Sequence, residues 1–223
     1  VVYPDGRMES YEYADGTYAA GMDADHPGTF TESAGGSCFR VTVTYGTADH
    51  PEGLAGKTTR QADIYNGANR LVQEETYVYA SGDYQLVDWI ATQYDARYNA
   101  VAVIYANGTR RDRSFVQGTS LLQSEVDPSG QKFIYTYDAV NRIATRTKEG
   151  VFFPSMPNQY DVVTTYAYDP ADNLLSTTTT GDALSQVASS EYDKALRRTR
   201  SVDAAGLATE YGYAEGGRQE TVV

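Results

Sequence analysis

Along this chain aromatic and apolar side chains alternate with polar ones in short runs, and each run stops at a turn signal. Five Tyr-x-Tyr pairs carry the alternation most openly: Tyr11/Tyr13, Tyr77/Tyr79, Tyr135/Tyr137, Tyr166/Tyr168 and Tyr211/Tyr213. Residues two apart on a strand share a face, so each pair lays two rings on one surface of a sheet. No segment keeps the i, i+3, i+4, i+7 apolar spacing of a helix together with a cap and a stop. Residues 182–194 come nearest, and they read equally as a turn plus a strand. The pattern predicts an all-β protein.

The runs repeat. The fullest unit opens with Asp127-Pro128-Ser129-Gly130, which has the residue preferences of a type I turn. A strand follows to Tyr135-Thr136-Tyr137-Asp138, then the short reversal Ala139-Val140-Asn141-Arg142 and a second strand from Ile143. Similar units run from Tyr166 through Tyr168, Asp169 and Asn173 to Leu174, and from Tyr192, Asp193 and Arg197 to Tyr211 and Tyr213. Weaker copies are Tyr94-Asp95 with Asn99, and Tyr65-Asn66 with Arg70 and Leu71. Anchor aromatics fall at intervals near 21 residues: Phe115 follows Tyr94 by 21, and Tyr213 follows Tyr192 by 21. About 21 residues hold two strands and two short turns, which is one β-hairpin. Longer intervals place loop insertions near 19–36 and 151–161, where Gly, Asp and Pro gather. The whole of 1–223 therefore reads as one array of antiparallel hairpin repeats, curved into a ribbon or spiral, in which neighbours bury the faces that a single unit cannot.

Composition sharpens this picture. The chain has 20 Tyr against 6 Phe and 1 Trp, with 20 Gly. Tyr suits a half-buried pleated surface with its hydroxyl left wet, and Gly supplies turns. A net charge of −12 repels phosphate backbones and argues against nucleic acid as a partner. With Cys38 as its single cysteine the chain has no internal disulfide, and no apolar run approaches the length of a membrane-spanning helix. The opening Val1-Val2-Tyr3-Pro4 is expected to be an excerpt from a longer polypeptide.

Candidate chemistry is sparse. His26 and His50 sit in twin Asp-His-Pro contexts, readable as polar turns used twice or as carboxylate–imidazole metal ligands with Asp25, Asp49 and Glu52. The turn is the stronger reading. Cys38 is a nucleophile candidate only if a histidine reaches it, and otherwise a small residue entering a strand. Asp95, Asp138, Asp169 and Asp193 recur with the repeat, which marks them as turn formers; a catalytic residue need occur only once. The tyrosines form either a cross-strand ladder or, if exposed, a platform on which sugar rings stack. The expectation is a chain with no catalytic, cofactor or metal residue.

The pattern Gly-x4-Tyr-x-Tyr-Asp-x3-Arg-Ile at 130–143, with its near copies, resembles the YD-repeat or Rhs-repeat family. Members include bacterial polymorphic toxins, the shell components of Tc toxins, and teneurins. The resemblance implies a β-ribbon spiralled into a hollow shell, secreted or displayed at a bacterial surface, enclosing a toxin or other cargo. It implies Tyr94, Asp95, Tyr135, Tyr137, Asp138, Arg142, Tyr166, Tyr168, Asp169, Tyr192, Asp193, Tyr211 and Tyr213 as structural anchors. Partners would be further repeats or like chains at the sheet edges, and an enclosed domain. The alternatives are an adhesion module binding glycans or cell-surface proteins, and a self-assembling filament or wall subunit.

Overall fold

The computed structural model describes residues 1–21, 27–53, 58–152, 159–181, 184–214, 216–217 and 219–222. Among these residues every regular element is a strand, seventeen in all, and every pairing is antiparallel. The fold is all-β and built of hairpins. It divides into two compact units, Val1–Arg113 and Ser114–Val223.

The first unit holds β1 (Arg7–Ala19), β2 (Thr29–Glu32), β3 (Cys38–Thr47), β4 (Thr58–Tyr65), β5 (Leu71–Ala80), β6 (Asp83–Tyr94), β7 (Ala100–Tyr105) and the start of β8 (Arg110–Phe115). β1 pairs with both β2 and β3, and from β3 onward each strand pairs with the next. The registers line up two rows across one face: Thr42, Ala62, Glu75, Trp89, and Arg40, Ile64, Gln73, Ala91, Ile104. These rows contain most of the fully buried side chains, including Ile64, Ala62, Trp89, Ala91 and Ile104.

Gln73 and Glu75, two of the buried polar residues of this core, are tied into one network. Gln73, 1% exposed, donates from Nε2 to the Gly28 carbonyl (3.0 Å) and to Glu75, and accepts from Tyr18 Oη at 2.9 Å. Glu75 also accepts from Tyr77 Oη at 2.5 Å. Burial and the Glu75 charge push the Tyr18 hydroxyl up to about 12, which keeps it a donor. The Gln73 bonds hold Tyr18 of β1 and the Gly28 backbone over the buried face of β5.

The second unit holds the end of β8, then β9 (Leu122–Val126), β10 (Lys132–Tyr137), β11 (Ile143–Phe152), β12 (Gln159–Tyr168), β13 (Leu174–Gly181), β14 (Leu184–Tyr192), β15 (Arg198–Val202), β16 (Ala208–Tyr213) and β17 (Gln219–Val222), with each strand from β9 onward paired to its successor. None of its described residues is fully buried. Hydroxyl pairs cross the strands at Thr136–Thr145 (2.6 Å) and Thr164–Thr179 (3.1 Å).

One long interval has a different cause from the one the composition suggested. The stretch near 19–36, expected to be loop, contains β2 and lengthens the partner of β1. The long interval from Tyr65 to Tyr94 comes from extended strands, 10 residues in β5 and 12 in β6. Near 151–161, Val151, Phe152 and 159–161 are strand, and 153–158 lie outside the described residues.

The Tyr-Asp turns as candidate functional site

Each Tyr-Asp turn is closed by one carboxylate. Asp138 Oδ1 accepts the backbone N–H groups of Val140 (3.0 Å) and Arg142 (2.9 Å), and Oδ2 accepts Arg142 Nε at 2.7 Å. Asp193 does the same with Ala195, Arg197 and the Arg197 guanidinium. In Asp95 and Asp169 an asparagine amide, Asn99 or Asn173, takes the place of the guanidinium, at 2.9 and 2.8 Å. Asn66, Asp127 and Asp203 close turns with the same backbone pattern. Ionised aspartate fits because it offers several lone pairs to three donors at once. The bonds hold the carboxyls of Asp95, Asp138, Asp169 and Asp193 below the ordinary aspartate range. Asn99 and Asn173 side chains are the largest cause in Asp95 and Asp169, and the Arg142 and Arg197 N–H groups in Asp138 and Asp193.

The fourth residue of each turn takes a left-handed backbone: Asn69, Tyr98, Asn141, Asp172 and Leu196 have φ between 56° and 68°, and Gly130 and Gly206 stand at 85°. A type I turn followed by a left-handed residue matches the twist of a hairpin. Directly after the turn the register slips by one. Tyr137 faces Ile143 whereas Thr136 faces Thr145, and the same slip follows Tyr65, Tyr94, Tyr168, Tyr192 and Tyr213. Each slip is a bulge that raises the local twist at one end of the strand pair.

The tyrosine before the turn closes the open mouth of its hairpin. Tyr94 Oη donates to the Leu71 carbonyl (2.9 Å), Tyr137 to Leu122 (2.8 Å), Tyr192 to Leu174 (3.3 Å) and Tyr213 to Arg198 (2.7 Å). In all four the acceptor is the first residue of the preceding strand. Arginine reinforces the same mouth: Arg142 lies over the Tyr168 ring at 4.7 Å and Arg197 over Tyr213 at 4.6 Å. Arg142 Nη1 also donates to the Asp169 carbonyl and to Asp172, each at 2.8 Å. Tyr135, Tyr166 and Tyr211, the first members of their pairs, are half-buried strand residues, and Tyr211 Oη accepts from Arg198 at 2.8 Å. Tyr11 and Tyr13 differ: they are 47% and 73% exposed.

Elsewhere, His50 sits in consecutive turns, its N–H bonded to the Thr47 carbonyl and its carbonyl to Gly53 N–H, with Glu52 3.6 Å from Nδ1. His26 and Asp25 lie outside the described residues. Cys38 is buried at the start of β3, opposite Gly16. Among the described residues no three His, Cys, Asp or Glu side chains gather as metal donors would, and no helix is long and apolar enough to cross a membrane. Asn99 and Asn173 stand where Arg142 and Arg197 stand in the other turns, and Asn66 stands where the others have aspartate. Their signal was present in the fixed spacing of four residues between turn ends.

No family model matches the chain, and no curated protein matches it. Solved structures do. The Tc holotoxin pore of Photorhabdus luminescens, carrying a TccC3 mutation, superposes with a TM-score of 0.55 at 18% identity over 79% of this chain. TcdB2-TccC3 without its hypervariable C-terminal region gives 0.55 at 17% identity over 87%. At these identities the likeness is one of fold. This chain spans 10% of the length of each.

Proposed function

We propose that this chain is a structural, non-enzymatic stretch of the wall of a secreted or surface-exposed YD-repeat shell of the Rhs type, one that encloses a toxin or other cargo. The observation that carries the reading is the second unit. Its hairpins repeat one joint, yet none of its described residues is fully buried. A globular enzyme of this size buries a core to hold a site rigid. A sheet one layer thick that spends its specific bonds at the turns instead separates two compartments.

The fold shared with the Tc toxin structures supports this reading. Partners would be further repeats or like chains at the sheet edges. The test is native mass spectrometry of the natively purified particle that contains this chain. A second polypeptide held inside and released only on denaturation is the expected result. A particle with no cargo, or an open series of multiples, overturns enclosure in favour of a self-assembling wall.

An adhesive role is a second reading, favoured by Tyr11 and Tyr13, whose rings stand in solvent on the face of β1 opposite the core rows. Alanine at both positions would abolish cell or glycan adhesion if that face serves it.

A further inference from the structure

The turn that begins at Asn66 departs from the Asp138 turn in one atom. Asn66 Oδ1 accepts the backbone N–H groups of Ala68 and Arg70, each at 3.0 Å, as Asp138 Oδ1 accepts those of Val140 and Arg142. Where Asp138 offers Oδ2 to Arg142 Nε, Asn66 offers the amide nitrogen Nδ2, a donor. Arg70 is otherwise placed as Arg142 is: its guanidinium lies over the ring of Tyr98 at 5.4 Å, against 4.7 Å for Arg142 over Tyr168. Among the described residues neither Asn66 Nδ2 nor Arg70 Nε has a hydrogen-bond acceptor. Two donors thus stand on the side of the turn that in Asp138 and Asp193 holds an ion pair.

The residue after Asn66 is glycine. A Cβ there would stand 2.8 Å from the Ser37 carbonyl oxygen, so position 67 stays bare for a packing reason, and its nitrogen is unhindered. Gly67 is exposed, and among the described residues its N–H makes no hydrogen bond. The chain has one other Asn-Gly pair, Asn107-Gly108, and there the Gly108 N–H donates to the Tyr105 carbonyl at 3.0 Å. At Asn66 the nitrogen is free, and the neighbouring carbonyl is activated. Two backbone N–H bonds into Asn66 Oδ1 draw electrons from Cγ and stand ready for the charge that an attack on Cγ places on that oxygen.

We propose that Asn66 is a spontaneous deamidation site whose product is the aspartate that the Tyr-Asp turns carry from synthesis. Gly67 N attacks Asn66 Cγ, its proton passes through water to the departing Nδ2, and ammonia leaves behind a succinimide ring. Water then opens the ring. Opening at Cγ gives aspartate on an unchanged backbone; opening at the main-chain carbonyl gives isoaspartate, which lengthens the backbone inside the turn. Aspartate at this position keeps both backbone bonds and adds an acceptor for Arg70 Nε, a charge-assisted bond of the kind Asp138 makes with Arg142. Deamidation thereby completes the joint that the encoded sequence leaves unpaired. The site lies in one turn of the first unit and does not depend on the shell reading.

The test is incubation of the whole 223-residue chain in a mildly alkaline buffer made with heavy-oxygen water, followed by digestion and peptide mass spectrometry. Label enters the two asparagine peptides only as they deamidate. The Asn66 peptide is expected to take up label about tenfold faster than the Asn107 peptide, the advantage of a nitrogen with no hydrogen bond to break. In urea the two should label at similar rates. Equal rates in the folded chain overturn the proposal, as does a difference that persists in urea. Asn66→Asp supplies the second readout: it should raise the melting point, and the gain should vanish when Arg70→Gln is added. An unchanged or lowered melting point, a gain that survives Arg70→Gln, or isoaspartate as the sole product overturns the completed joint. The labelling rates are read on the parent chain, so they decide even if a variant fails to fold.

Discussion

The guanidinium of Arg142 lies 4.7 Å above the ring of Tyr168 while its Nε holds Asp138, so one side chain closes its own turn and the mouth of the following hairpin. Cation–π and ion-pair contacts sharing one group are coupled. Arg142→Ala and Tyr168→Ala should each lower the urea midpoint, and the double variant should lose clearly less than the sum. Additive losses in the double-mutant cycle would show that the stack contributes nothing.

The tyrosine hydroxyls predict a graded series. Tyr137→Phe removes only the bond to the Leu122 carbonyl, so it should cost about 1 kcal/mol in equilibrium unfolding. Tyr94→Phe, which frees the Leu71 carbonyl, should cost a similar amount. Tyr13→Phe, on a ring that is 73% exposed, should leave the midpoint unchanged.

Leu196 stands at φ +62° with its side chain 55% exposed, holding a left-handed turn position at which glycine serves in two other repeats. The strain of an L-residue there is about 1–2 kcal/mol, and a glycine returns part of it as unfolded-state entropy. Leu196→Gly should therefore stabilise the chain by about 0.5–1 kcal/mol. Calorimetric melting that shows a loss would mean that Leu196 makes contacts its exposure hides.

Asp63 and Glu74 face each other across β4 and β5. Burial raises both carboxyls, and the charge of Asp63 raises Glu74 further. The folded chain thus binds these protons more tightly than the unfolded one. Stability from this pair grows as pH falls from neutrality through the raised folded values, and is complete below the ordinary carboxylate range. The turn aspartates act oppositely: their contribution is present above that range and disappears as pH falls through their lowered values. Thermal melts should show maximal stability in mild acid. Asp63→Asn should raise the melting point at neutral pH and change little near about pH 4; an equal effect at both would refute the charge pairing.

Gln73→Leu should be the most damaging of these changes. It strands the Gly28 carbonyl and the Tyr18 hydroxyl inside the unit, at about 1–3 kcal/mol. Chemical denaturation that leaves the variant within error of the parent would mean that water replaces the amide.

The hairpin periodicity was legible because the period and the turns are local. Asp127, Asp138, Asp169 and Asp193 act within four residues of themselves, so spacing alone exposed them. The register slip after each turn was not legible, since the strand leaving the turn carries no shared residue type: Leu71, Ala100, Ile143, Leu174 and Arg198 all occupy its start. The core rows were hidden for another reason. Gln73 meets Tyr18 across 55 residues and Gly28 across 45, and nothing near Gln73 marks a glutamine destined for burial. Thr29–Glu32 was lost to the glycines and proline around it, which signalled loop where a short strand completes the edge of β1.

The tyrosine joints also give the chain a direction in time. Each hydroxyl reaches back, 23 residues from Tyr94 to Leu71, 15 from Tyr137 to Leu122, 18 from Tyr192 to Leu174 and 15 from Tyr213 to Arg198. A hairpin is thus fastened by the last residue of its own second strand, using nothing that has yet to be synthesised. During translation the nascent chain would set one hairpin at a time behind the ribosome, with the newest arginine waiting for the next tyrosine. An array built this way closes each of these tyrosine joints without waiting for the repeat that follows.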